Sequence, residues 1–255
     1  MRIGVAGALG RMGAAVAELA DALDGFELSA LCDQPGAKGE ARRPLVSRSE
    51  LLAASDVVVD FSTPAAASDL AREAAERGGP ALVIGPTGFS AEEEAKIQAA
   101  SRRIAIVKSG NFSLAVNLLA HLVETAASRL GAEAWDIEIL ETHHRGKRDA
   151  PSGTALILGE AAARGRKGEF ARLRAPARQG LDQARRSGEI GIASLRGGGV
   201  VGEHAVVFAG TEEILTLSHS ARDRRLFARG ALTAAAWVAG KPPGLYSMAD
   251  VLGLK

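Results

Sequence analysis

The sequence predicts an α/β protein in which a Rossmann-like N-terminal domain is followed by an α+β C-terminal domain. Three observations carry that prediction. Short apolar runs alternate with alanine-rich amphipathic stretches as far as residue 107, a glycine-spaced turn follows the first run, and the rhythm changes after Asn111. Strand, helix and strand in repetition imply a parallel sheet covered on both faces.

In chain order, the apolar runs at 3–6, 26–31, 56–61, 81–84 and 104–107 read as strands, and the stretches at 10–23, 64–77 and 91–102 as helices. Ser62-Thr63 before Pro64, and Ser90 before Ala91-Glu92, have the chemistry of helix caps. After Asn111 come a long apolar helix at 114–130, a strand at 135–141, a polar loop, a helix at 154–164, and strand-like runs at 189–195, 204–209 and 212–218. Residues 164–186 are rich in Arg and Gly and show no period, so they read as a long excursion. Helical periodicity at 223–239 returns the tail to the first domain, giving domains of 1–112 with 222–255 and of 113–221.

With 255 residues and a net charge of +1, the chain can bury a large core and projects no field toward nucleic acid or a membrane surface. Cys32 is the single cysteine, which excludes an intrachain disulfide and points to a reducing, cytoplasmic setting. The first residues mimic a signal peptide, but Arg11, Glu18 and the glycines interrupt the run. No uncharged apolar stretch approaches the ~18 residues of a membrane span. The basic segment 164–186 has only Phe170 as an aromatic and reads as a solvated face rather than a nucleic-acid surface.

The first strand runs into Gly7-Ala8-Leu9-Gly10-Arg11-Met12-Gly13, a glycine turn opening a helix. Gly7 suits the tight turn, Gly10 the approach of backbone N–H groups to a pyrophosphate, and Gly13 close packing of helix on strand. Asp33 ends the second strand at the spacing of an acid that accepts from a ribose 2'-hydroxyl. Asp33 and the uncharged Gln34 favour NADH, while Lys38, Arg42 and Arg43 lie near enough in sequence to admit NADPH. Gly85-Pro86-Thr87-Gly88 and Ser109-Gly110-Asn111-Phe112 fall at later strand ends and suit nicotinamide and ribose contacts; as bare sequence they are equally ordinary turns.

The densest chemistry is the block from Glu141 to Ala155, which contains His143, His144, Arg145, Lys147, Arg148 and Ser152-Gly153-Thr154. A cationic loop feeding a helix N-terminus suits a carboxylate, and a histidine or lysine beside it can supply a proton. The alternative is a charged surface loop before a capped helix. His121, His204 and His219 are scattered along the chain without a ligand pattern; they read as structural, and no metal is expected.

At these residues the chain resembles the dihydrodipicolinate reductase family of lysine and diaminopimelate biosynthesis. The resemblance also covers the glycine turn, Gly85-x-Thr87-Gly88-Phe89, Asn111-Phe112-Ser113, Arg186-x-Gly188-x-Ile190-Gly191, Arg196-Gly197-Gly198 and Gly202-Glu203-His204. It implies a nucleotide domain and a substrate domain that close on a small dicarboxylate, and substrate domains that assemble a homotetramer. It further implies His143 as proton donor or acceptor, Lys147 as proton donor, His144 as a substrate contact, and Gly153 and Thr154 as holders of a substrate carboxylate. The resemblance makes Gly7 to Met12, Asp33, Gly85 to Thr87 and Ser109 to Phe112 cofactor contacts. Pro86 stands where threonine is commoner, and Gln34 where some members carry arginine. An aspartate or homoserine dehydrogenase would keep the first half but lack the block from Glu141 to Ala155. A non-catalytic NAD(H) sensor would have no use for its histidines and Lys147.

Overall fold

A computed structural model describes residues 1–178, 180–181 and 184–254. The chain forms two compact units, Met1–Leu114 with Arg225–Lys255, and Ala115–Arg224.

In the first unit, β1 (Arg2–Ala6), α1 (Arg11–Ala22), β2 (Glu27–Cys32), α2 (Arg48–Ala54), β3 (Val57–Asp60), α3 (Pro64–Arg77), β4 (Ala81–Ile84), α4 (Ala91–Ala100) and β5 (Ala105–Lys108) follow in order. The second unit holds α5 (Leu114–Arg129), β6 (Asp136–His143), α6 (Gly153–Gly165), α7 (Phe170–Leu173), β7 (Ile190–Arg196), β8 (Gly202–Ala209) and β9 (Ile214–Ala221). The chain then returns to the first unit with α8 (Arg225–Val238), β10 (Gly244–Tyr246) and α9 (Met248–Val251).

The first sheet is six-stranded, ordered β10-β5-β4-β3-β1-β2, with every pairing parallel. Such a sheet is dry on both faces, and its strands read as valine-rich runs. On one face Val57 and Val59 join Val16 and Ala20 of α1 and Ala231 and Ala235 of α8. On the other, Val58 meets Leu51 of α2, Leu70 and Ala74 of α3, and Ile97 of α4. Alanine on these helices allows them to lie close to the sheet. The expected caps form: Thr63 accepts from Ala66 N–H, and Ser90 makes a capping box with Glu93.

The second sheet is four-stranded and mixed, ordered β7-β6-β8-β9. Its inner face carries Ile137, Ile139, Ile190, Val206 and Phe208 against Val123 of α5 and Leu158 and Ala162 of α6. Cross-strand pairing puts successive residues on alternate faces.

Several expectations shift. β6 runs to His143, so His143 belongs to a strand end rather than to the polar loop. β9 starts at Ile214 because Gly210 N–H donates to Glu213 O at 2.9 Å and holds residues 210–213 in a turn. The excursion at 164–186 contains the short helix α7, while Gln179, Asp182 and Gln183 lie outside the described residues. Among the described residues no helix is long and apolar enough to cross a membrane.

Candidate active site

The parallel strands bring their carboxyl ends to one edge, and the predicted nucleotide residues follow from that topology. The glycine turn succeeds β1, Asp33 succeeds β2, Gly85-Pro86-Thr87 succeed β4, and Ser109 to Phe112 succeed β5. The order β4-β3-β1-β2 puts the switch point between β1 and β3, where open α/β sheets bind ligands.

A cavity of about 840 Å³ opens at this edge; Gly7, Leu9, Gly10, Asp33, Lys38 and Ser62 are among its lining residues. Gly7 has φ +70°, a left-handed conformation that an L side chain resists, and a Cβ on Gly13 would fall 2.1 Å from Gly7 O. Gly10 caps α1 with no side-chain hydrogen bond, leaving first-turn N–H groups to an outside acceptor. These features fit a dinucleotide pyrophosphate. Asp33 accepts from Leu9 N–H at 2.8 Å and from Gln34 N–H at 2.7 Å, which ties the turn to the end of β2. Each oxygen retains a further lone pair for a ribose hydroxyl.

The other predicted nucleotide residues are placed differently. Gly85 to Thr87 and Ser109 to Phe112 do not line this cavity. They form a neighbouring pair of loops: Gly85 N–H donates to Asp60 O and Ser109 N–H to Ile84 O. Ala8 and Phe112 are buried, Phe112 stacking edge-on against Phe61 with ring centres 5.7 Å apart, so only their backbones could touch a cofactor. Arg11 and Met12 open α1. Arg42 and Arg43 pair with Asp21 at 3.6 and 3.0 Å, while Lys38 in the loop and Arg48 at the start of α2 are the cations that line the cavity. Sequence reasoning missed Asp60, Phe61, Ser62 and Thr63, which also line it. Asp60 is buried with Oδ2 unpartnered; burial raises its carboxyl above the ordinary value, against hydrogen bonds from Ser62.

In the second unit, the block from Glu141 to Thr154 folds around one buried carboxylate. Along β6 the apolar inner positions Ile137 and Ile139 give way to Glu141 and His143. Register places Ser194, Glu141, His204 and His219 in one row across the four strands, with Arg196, His143 and Gly202 in the next. Glu141 Oε2 accepts from His143 Nδ1 at 2.5 Å and from Arg196 at 2.8 Å; Oε1 accepts from Arg196 at 2.8 Å and from Ser152 N–H at 3.1 Å. Burial alone would raise the Glu141 carboxyl, but hydrogen bonds from Arg196, Ser194, His143 and Ser152 overcome it and hold the group at about 2.

Ser152 is the N-cap of α6: its Oγ accepts from Ala155 N–H at 3.1 Å and lies 2.9 Å from His204 Nε2. Burial, reinforced by the nearby His143, depresses His204 to about 4, so it is a neutral imidazole near pH 7. Gly153 and Thr154 form the first turn of α6, beyond that cap. Lys147 Nζ donates to both Asp149 oxygens at 2.9 and 2.8 Å, and this bond holds the Asp149 carboxyl below its ordinary value. His144 Nε2 lies 3.1 Å from Arg224. His143 and Lys147 thus stand around the start of α6, in an arrangement able to bind an anion and move protons. Sequence reasoning missed Glu141, Arg196 and Asp149, and it left His204 as merely structural. His204 instead joins the row beside His143, with ring centres 5.1 Å apart.

Comparison with known proteins gives concordant matches. The family profile described as "Dihydrodipicolinate reductase, N-terminus" matches residues 1–112, and "Dihydrodipicolinate reductase, C-terminus" matches residues 115–252. A 4-hydroxy-tetrahydrodipicolinate reductase of Caulobacter vibrioides is 55% identical over 255 residues, covering 100% of this chain and 98% of that protein. One from Rhizobium rhizogenes is 49% identical over 269 residues, covering 100% and 97%. Among solved structures, a dipicolinate-bound dihydrodipicolinate reductase from Paenisporosarcina sp. TG-14 shares the fold, with a TM-score of 0.79 at 23% identity and 98% coverage of both chains.

Proposed function

The chain belongs to the dihydrodipicolinate reductase family, and on that premise we propose that it reduces (2S,4S)-4-hydroxy-2,3,4,5-tetrahydrodipicolinate to tetrahydrodipicolinate with loss of water, using NAD(P)H. The observation that carries the proposal is the gathering of His143, Lys147 and the α6 N-terminus around Glu141. The dicarboxylate is supported by the relative solved with dipicolinate.

When bound, the reduced nicotinamide supplies the hydride. Gly7, Gly10 and the first turn of α1 hold the pyrophosphate, and Asp33 accepts from the ribose. Gly153 and Thr154 take one substrate carboxylate at the positive end of α6, and His144 contacts the substrate. Protons move at His143 Nε2 and Lys147 Nζ: loss of water removes a proton from the ring carbon next to the departing hydroxyl and returns it in the water, and one further proton balances the hydride across the conjugated double bond. NADH is the cofactor we favour. Asp33 repels a 2'-phosphate, and Arg42 and Arg43 are engaged by Asp21.

The same reading includes a homotetramer in the cytoplasm. The assembly is supported by the outer face of the second sheet, which carries Leu140, Leu195 and Ile214, with Leu195 55% and Ile214 66% exposed. Light scattering that finds a monomer would remove the assembly.

Stopped-flow absorbance with enzymatically generated substrate tests the activity: NADH oxidation dependent on that substrate is expected, and its absence overturns the proposal. Isothermal titration with both nucleotides tests the preference, and tighter NADPH binding reverses it.

A further inference from the structure

We propose that Glu141 is the positioning residue of this reaction, a buried carboxylate that sets the proton position on His143 while its two oxygens fix the start of α6 and, through Arg196, the loop carrying Lys147. The inference rests on the reductase reading above.

Glu141 has no exposed surface, and a carboxylate offers about four lone-pair sites. The donors His143 Nδ1, the two Arg196 nitrogens, Ser152 N–H and the Ser194 side chain fill them. An ionised carboxylate only accepts, so His143 carries a proton on Nδ1, and Nε2 is the nitrogen left to exchange a proton with a substrate.

The same ion pair reaches further. The Arg196 Nη2 that donates to Glu141 also donates to the Asp149 carbonyl at 2.7 Å, and the Asp149 carboxylate holds Lys147. Gly197 N–H, next along the chain, donates to His143 O at 2.9 Å. One carboxylate therefore orients both proton carriers and the anion-binding helix end. The charged and titratable groups around His143 are Glu141 on its own strand, Arg196 on β7, His204 on β8, and Lys147 with Asp149 in the following loop. Among them Glu141 alone is bonded to the ring.

A buried ion pair that only supported the fold would affect stability and leave the imidazole chemistry alone. The experiment separates the two roles. In the wild-type enzyme, 15N-histidine NMR above the imidazole titration, assigned with a His143→Gln sample, is expected to show the Nδ1–H tautomer. In Glu141→Gln, kcat is expected to fall about 100-fold, within the range a positioned proton carrier contributes. The dissociation constant for NADH should be unchanged. Glu141→Asp should recover part of the rate. An Nε2–H tautomer in the wild type, or a Glu141→Gln enzyme with unchanged kcat, overturns the proposal. Should Glu141→Gln not fold, the wild-type tautomer and Glu141→Asp still decide. A wild-type enzyme inactive on the substrate would sink the reductase reading instead, and the tautomer would remain measurable.

Discussion

At the scale of single residues, Gly13 has space for a hydrogen and nothing larger, since a Cβ there would overlap Gly7 O. Gly13→Ala must push the turn open, and we expect NADH affinity to fall at least tenfold, roughly 1.4 kcal/mol, in isothermal titration. Retained affinity would take the turn out of the nucleotide site. Lys147→Ala should lose on the order of 100- to 10,000-fold in turnover while still binding NADH, and unchanged turnover removes Lys147 from the chemistry. Asp33 could be found from the sequence because its signal is local: a glycine turn, a helix, a strand and an acid. Glu141 could not. Its partner Arg196 lies 55 residues away, and Ser152 meets His204 across 52, so the cluster exists only once the strands are in register.

At the scale of elements, α6 shows how a helix start can serve two purposes. Ser152 satisfies Ala155 N–H and also meets His204, so Ser152→Ala removes a cap and leaves a buried imidazole without its hydroxyl. Loss of the cap alone costs about 1 kcal/mol, and we expect at least that in urea unfolding; a change near zero would show that the cap is replaced by water. Elements with strong periods were legible in the sequence: the valine strands, the alanine helices and the long α5. Those that escaped have physical reasons. α2 is only 7 residues, announced by a Ser47 capping box with Glu50, and β10 is 3 residues that take their place by pairing with β5. The last two residues of β6, Thr142 and His143, looked like loop because they are polar, whereas the alternation continues the strand through them, with Glu141 and His143 inward.

At the scale of the whole molecule, the buried ionisable groups set how stability follows pH. His204 sits at about 4 when folded against an ordinary 6.5, so the unfolded chain binds the extra proton and stability falls as pH drops from about 6.5 to about 4. Glu141, at about 2 against 4.5, adds a second loss from about 4.5 to about 2. Asp60 opposes both: its raised carboxyl contributes stability that is present in acid and is lost as pH rises through its folded value. Melting temperatures should therefore decline on acidification from neutrality, and His204→Gln should flatten the upper part of that decline. An identical slope in the variant would show that another group titrates there.

The alternation of β6 also works as a reading frame. Ile137, Ile139, Glu141 and His143 occupy one phase, and Glu138, Leu140 and Thr142 the other. One residue inserted between Ile139 and Glu141 would rotate every later side chain through the sheet, carrying His143 and its carboxylate out to the face where Leu140 now stands. Two inserted residues would restore the phase but slide His143 past Gly202, its cross-strand neighbour on β8, by a full repeat. The span from Ile137 to His143 is thus intolerant of length changes that the loops on either side of the sheet could absorb, and indels there should abolish activity more often than substitutions do.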